Sequence, residues 1–487
     1  MRKWIGSVAL VAAMALSADA GAAVVAGMLE LQWGDPSPQA RKLDRRTPRF
    51  QAFLVADDGR RFPLDTDEAL QAAENLHALA GRRVAVDFSA AGRGVSAYRV
   101  EAIVPADDLH LANARATLVE GTTVWATLMC KFADIPTEQK TLAFFQSQYG
   151  NSQGQLDHYW REVSYGKINL TGSSAHGWYT LPHPRSHYVT GSGQGAANLN
   201  ALFDDCVAAA DANVDFAANG GLQGINMMFN GDLDGYAWGG GRCATLDGIY
   251  KCWSTTWNPP WSFNNLAPLA HEMGHGYGLP HANNSDNDSD PYDNPWDVMS
   301  SAWNNANSDA TYGTVAKHIN VYHRAQMGWI EPTRRLDVVA GQQHTAVQLD
   351  RASLPGSANA QMVVVRVPGE PQTRYYTVES RMRAGYYDGN LAGNAVIIHA
   401  VDQNRNTPAW SVDSDVPPAN LSNNEGSMFK PGETWTAPGN AFRVRVWAQN
   451  ANGFVVSICG PQPSGGVIGR RYDPCNTGPS DHLPRPR

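Results

Sequence analysis

Apolar residues recur along this chain at two spacings, and the dominant spacing changes twice. Between residues 24 and 117 they alternate with polar ones or run in short blocks, broken by turn signals such as Asp57-Asp58-Gly59. That pattern predicts strands over 24–33, 49–55, 61–64, 83–88 and 98–104, with one helical stretch at 67–79. The region reads as a small, barrel-like β domain. From Leu118 the pattern is mixed. A buried-looking strand at 122–129 precedes helical periodicity at 137–149 and 155–164, and the second helix ends where Gly166 lets the chain reverse. Leu199, Leu202, Phe203, Cys206, Val207 and Ala210 fall at helical spacing and form one buried face. Residues 225–229 make an apolar run suited to an interior strand. Beyond about Leu336 strands return at 345–349, 362–367, 375–379, 395–400, 442–448 and 454–458, separated by turn clusters as in a β-sandwich. The expected fold class is α+β. It comprises an N-terminal β domain over 24–117, a mixed domain over 118–335, a β-sandwich over 336–460 and a Pro/Gly-rich tail over 461–487.

The mixed domain carries the chemistry, in His271-Glu272-Met273-Gly274-His275-Gly276-Tyr277-Gly278-Leu279-Pro280-His281. Two histidines four apart on a helix project from one face, so two imidazole nitrogens reach a single metal ion. Gly278 tolerates positive φ, which lets the helix stop and the chain turn back. Pro280 does not extend a helix, and His281 returns as third ligand. Three neutral nitrogens on Zn²⁺ leave a fourth position open, the mark of a catalytic rather than a structural site. Glu272 follows the first ligand and is the candidate general base for a water at that position.

Residues 1–20 set the compartment. Arg2 and Lys3, an apolar run over 4–16 and Ala18-Asp19-Ala20 read as a secretory signal, with cleavage after Ala22 or Ala23 equally defensible. The run is too short to span a bilayer, and no other stretch is a candidate span, so the chain is expected to be secreted. Six cysteines in an exported chain imply three disulfides. Proximity favours Cys243–Cys252 and Cys459–Cys475, leaving Cys130–Cys206, although sequence alone does not fix the pairing. The formal charge of −8 is spread along the chain, and nothing in it suggests nucleic acid as a partner.

The pattern HExxHxxGxxH is the signature of the metzincin metallopeptidases, which this chain resembles. Their methionine turn has a counterpart in Pro295-Trp296-Asp297-Val298-Met299-Ser300, so the resemblance implies that Met299 runs beneath the metal and supports its ligands. Residues 159–170 and 322–330 resemble the secreted immune inhibitor A-like and gametolysin-like proteases. So do Tyr376-Thr377-Val378-Glu379-Ser380-Arg381, Gly385-Tyr386-Tyr387-Asp388 and Ile397-Ile398-His399. The resemblance covers roughly residues 120–460 and implies a zinc endopeptidase acting on extracellular proteins or peptides. It also implies a sheet-edge strand above the cleft, where Gly235, Tyr236, Ala237 and Trp238 stand, able to pair with an extended substrate. Two departures are visible. Ser300 replaces a usual glycine, and Ser301 stands where some metzincins place an oxyanion-stabilising tyrosine, leaving Tyr312 as a weak substitute.

Residues 24–117 precede the enzyme as a propeptide would. They hold no cysteine, so a thiolate cannot cap the metal; an aspartate or plain steric cover remains, against a permanent accessory domain. Calcium is a secondary expectation. Asp232-Leu233-Asp234-Gly235 lacks the further ligands of an EF-hand, whereas Asp286, Asp288 and Asp290 alternate in a polar loop that is otherwise a solvated surface loop. His318 and His323 sit on another element and read as structural. The competing function is an extracellular adhesion or carbohydrate-binding protein on a protease-like scaffold, suggested by 15 tryptophans and the C-terminal strands. A zinc hydrolase of a non-peptide substrate comes third. The intact glutamate and ligand set argue against a degenerate scaffold.

Overall fold

Ten of the strands between residues 23 and 258 join in one mixed sheet in the computed structural model, which describes residues 23–89, 99–106, 119–191, 193, 195–286, 288, 290–415, 424–461, 473 and 475–476. The expected signal segment and most of the tail lie outside the described residues. Helices and several sheets together make the molecule α+β. At the heart of the large sheet, Ser174–Thr180, Trp125–Lys131, Gly224–Phe229 and Ile249–Asn258 lie side by side and parallel, and Tyr236–Leu246 follows antiparallel. Both faces are covered, which explains the nearly continuous apolar runs. Trp125 and Met129 point into a core shared with the helix Leu266–Gly276, while Ala126, Leu128 and Cys130 face a core shared with the helix Leu199–Ala210.

The N-terminal region has its own apolar cluster, including Leu29, Leu31, Trp33, Leu54, Val86 and Ile103, but not its own closed sheet. Its first strand, Ala23–Pro36, pairs with Arg49–Ala56 on one side and Arg83–Ser89 on the other. Past Met28 it leaves the second partner, and Gln32–Pro36 pair with Gly240–Tyr236. The barrel-like expectation is corrected here: among the described residues these strands form an open extension of the large sheet. The helix expected at 67–79 is also interrupted. Thr66–Ala72 is capped by the Asp65 side chain and ends at extended Ala73, and a short 3₁₀ turn follows at His77–Leu79.

Two sheets form the C-terminal region. One runs Asn283–Asn284, Ala409–Ser411, Ala395–Asp402, Arg374–Arg381, Met362–Arg366, Arg335–Val339; the other runs His344–Asp350, Gly453–Cys459, Arg443–Gln449, Thr434–Thr436. Val363, Val378 and Ile398 of the first meet Val444, Val456 and Ile458 of the second in one apolar cluster. The edge pair Asn283–Asn284 comes from the loop just after His281, so this region is stitched to the histidine loop by main-chain pairing. The two disulfides favoured by proximity, Cys243–Cys252 and Cys459–Cys475, are formed, and so is the remaining pair, Cys130–Cys206. No helix among the described residues is long and apolar enough to cross a membrane.

Candidate metal centre

The helix Leu266–Gly276 is buried along nearly its whole length. It stops as its sequence requires. Gly278 adopts φ 87°, its N–H donates to His275 O at 2.8 Å, and Leu279 N–H donates to Gly274 O at 3.0 Å. This double closure is a Schellman motif, and it swings the chain so that His281 faces back to the helix. Gly274 has a packing role as well. A Cβ there would lie 2.4 Å from Met299 Sδ, so the missing side chain is what lets the methionine pass beneath the helix. Gly239 does the same above it, where a Cβ would meet Glu272 O at 2.4 Å.

The Nε2 atoms of His271, His275 and His281 converge, at 3.0, 3.2 and 3.3 Å from one another. The far nitrogens of two rings are committed: His271 Nδ1 lies 2.6 Å from Val298 O, and His275 Nδ1 2.7 Å from Leu279 O. Carbonyls only accept, so both Nδ1 atoms carry the protons and both Nε2 atoms present lone pairs. Burial pushes His275 down to about 3 and His281 below its usual value, favouring the neutral, ligating form. Lone pairs facing one another at this range are repulsive without a cation between them. The separations also approach the edge of about 3.3 Å that tetrahedral zinc–nitrogen bonds require. The donor set therefore fits one zinc ion.

A fourth group, with no motif to mark it in the sequence, stands among the three histidines. Asp35, 5% exposed, lies at the end of the N-terminal strand. Its Oδ1 is 2.7 Å from His281 Nε2 and 3.4 Å from His271 Nε2, and its Oδ2 is 3.3 Å from His275 Nε2. Burial alone would raise this carboxyl, but its contacts with the imidazoles of His281, His271 and His275 hold it well below the usual range. Tyr292 donates its hydroxyl to Asp35 Oδ1 at 2.6 Å and stands edge-on to the His281 ring. Trp33 stacks on the His275 ring, with centroids 4.9 Å apart. Glu272 is 1% exposed, and its Oε2 has no hydrogen-bond partner. Burial and then the Asp35 charge push its carboxyl well above the usual value. Beside Asp35 and Glu272 opens a cavity of about 160 Å³, walled by Trp261, Pro268 and Trp303.

Met299 is fully buried, and Asp297 accepts its N–H at 2.7 Å. Tyr236, Ala237 and Trp238 lie on the predicted edge strand, and Gly235 just precedes it with φ 84°. The edge is taken by the chain itself: Pro36 lies opposite Tyr236, Asp35 opposite Ala237, Gly34 opposite Trp238. Tyr312 is elsewhere, bonded to Gln155 Nε2 at 2.9 Å and Ser147 Oγ at 2.9 Å, so Tyr292 is the hydroxyl at the site instead. His318 and His323 are buried in polar contacts away from His271, His275 and His281. The acidic loop differs from its expected form. Asp290 pairs with Arg41 at 2.9 Å, while Asp286, Asp288 and the unanticipated Asp293 bring oxygens within 4.8 Å of one another. Burial, with the charges of Asp286, Asp290 and Asp288 behind it, pushes Asp293 up to about 8. No protein family, curated protein or solved structure matches the chain.

Proposed function

We propose that the protein is a secreted zinc endopeptidase of metzincin type, resembling the immune inhibitor A-like and gametolysin-like proteases, held latent by its N-terminal region. The observation that carries this reading is the convergence of three Nε2 atoms, two with their Nδ1 protons tied to carbonyls, beside a buried glutamate with one free oxygen. The antiparallel edge strand above the helix, Met299 beneath Gly274, and three disulfides suited to an oxidising compartment support it.

His271, His275 and His281 would hold a zinc ion, which would supply Lewis acidity toward a peptide carbonyl and a water. The chain's own residues do the rest. Tyr236–Leu246 pairs with an extended substrate once its edge is free. Glu272 takes the proton of the attacking water on its free Oε2 and returns it to the leaving amine. Tyr292, whose hydroxyl now donates to Asp35, donates to the substrate carbonyl oxygen that takes the carboxylate's place. Asp35 explains latency: its carboxylate fills the position next to all three histidines, and Gln32–Pro36 fill the substrate strand.

The test is casein hydrolysis by the wild type and Glu272→Ala, each before and after limited proteolysis, with zinc content measured on both. Zinc in both, and cleavage only by processed wild type, is expected; the variant should lose at least about 10²-fold in rate. A wild type that binds no zinc would sink the proposal.

A further inference from the structure

We infer that the loop joining His281 to Met299 carries a second metal site, a Ca²⁺ ion held by the carboxylates of Asp286, Asp288 and Asp293. One oxygen from each lies within 4.8 Å of the others, so three carboxyl groups crowd one point. Among the described residues no Lys or Arg pairs with any of them, and the nearby Arg41 is engaged by Asp290. The independent sign of a ligand is Asp293. It is 3% exposed, its Oδ1 accepts Asn284 N–H at 3.0 Å, and its Oδ2 has no hydrogen-bond partner. A buried carboxylate oxygen left bare beside two further carboxylates is costly unless a cation neutralises it.

The ligand chemistry selects the ion. All three donors are carboxylate oxygens, with no nitrogen or sulfur among them, which suits a hard cation and not zinc. The donors come from an irregular loop, and Asp286 and Asp288 are partly or largely open to water, so solvent and main-chain oxygens can complete a flexible shell. Such a shell fits Ca²⁺ better than the strict octahedron of Mg²⁺. Position gives the site a consequence. The loop begins at Asn283–Asn284 in the C-terminal sheet, reaches Arg41 through Asp290, and ends near Tyr292, whose hydroxyl rests on Asp35. Bound Ca²⁺ would hold Tyr292 in place, whichever reaction the histidine centre runs.

The experiment uses full-length protein supplied with zinc and freed of calcium, its zinc content measured. Equilibrium dialysis with Ca²⁺ and Tb³⁺ luminescence, sensitised by the adjacent Tyr292, should report one saturable site. The unfolding midpoint should rise with Ca²⁺ and much less with equal Mg²⁺. Asp293→Asn and the more exposed Asp288→Asn should each weaken Ca²⁺ uptake roughly tenfold or more while zinc content stays unchanged. If Asp293→Asn does not fold, Asp288→Asn alone decides. No saturable Ca²⁺ uptake by the wild type, or unchanged uptake in either folded variant, overturns the inference. A protein that takes up Ca²⁺ but no zinc would instead remove the protease reading and leave this site standing.

Discussion

The two strand-rich flanks of the central region are alike in sequence texture and opposite in what they do at the histidine centre. The N-terminal flank comes at it from the open side. It adds a strand to an exposed edge, puts Asp35 among the three imidazoles, and ties itself down through Arg41 and Asp290. The C-terminal flank comes from beneath. Arg381, fully buried, donates to Trp296 O in the segment that leads to Met299 and pairs with Asp388 at 2.9 Å, while Asp388 accepts His318 N–H at 3.1 Å. Trp296 Nε1 in turn donates to Ser427 Oγ at 3.0 Å. One flank covers the strand edge beside the histidines; the other supplies charge buried beneath them. Edge pairing and the carboxylate that follows it can be withdrawn together, whereas an internal ion pair has no solvent to retreat to.

The contrast is broken most directly at Asp35. Asp35→Ala should raise peptide hydrolysis by the unprocessed chain roughly 10²-fold or more, because a tethered ligand competes at high effective concentration. An unchanged rate would assign the block to strand pairing alone. Next in size is Arg381→Met, which should lower unfolding stability by about 3–5 kcal/mol, since it strands Asp388 and Glu379 without a cation. Denaturation midpoints for both variants, side by side, sharpen the comparison: the N-terminal change should act on rate and the C-terminal one on stability.

Which of these features the sequence could reveal follows from distance along the chain. His271, His275, His281, the left-handed Gly278 and Met299 lie within 29 residues of one another, counting from His271 to Met299, and helix periodicity with one glycine stop places them. Asp35 is 246 residues from His281. Its only local signal is a carboxylate closing an apolar strand just before Pro36, a residue type that strands usually avoid. The barrel expectation failed for the same reason: alternation predicts strands but not that one of them leaves its neighbours for a distant edge. In the acidic loop, alternation selected Asp290 as a ligand, yet Arg41, 249 residues away, claims it and leaves Asp293 to complete the cluster. Tyr292 was invisible because its partner was.

The smallest expected effect tests whether the N-terminal flank is held by its carboxylate or by its surface contacts. Arg41 and Asp290 are 27% and 44% exposed, and the guanidinium also sits 4.1 Å from the Tyr292 ring centroid. An ion pair this open is worth under about 1 kcal/mol and is screened by salt, with about as much again from the ring contact. Arg41→Ala should therefore speed proteolytic activation of the full chain only a few-fold. Molar NaCl should produce much of that change in the wild type and little further change in the variant. If Arg41→Ala instead released activity as fully as Asp35→Ala, the flank would be hung from the acidic loop, and Asp35 would be a passenger of that contact rather than the group that closes the site.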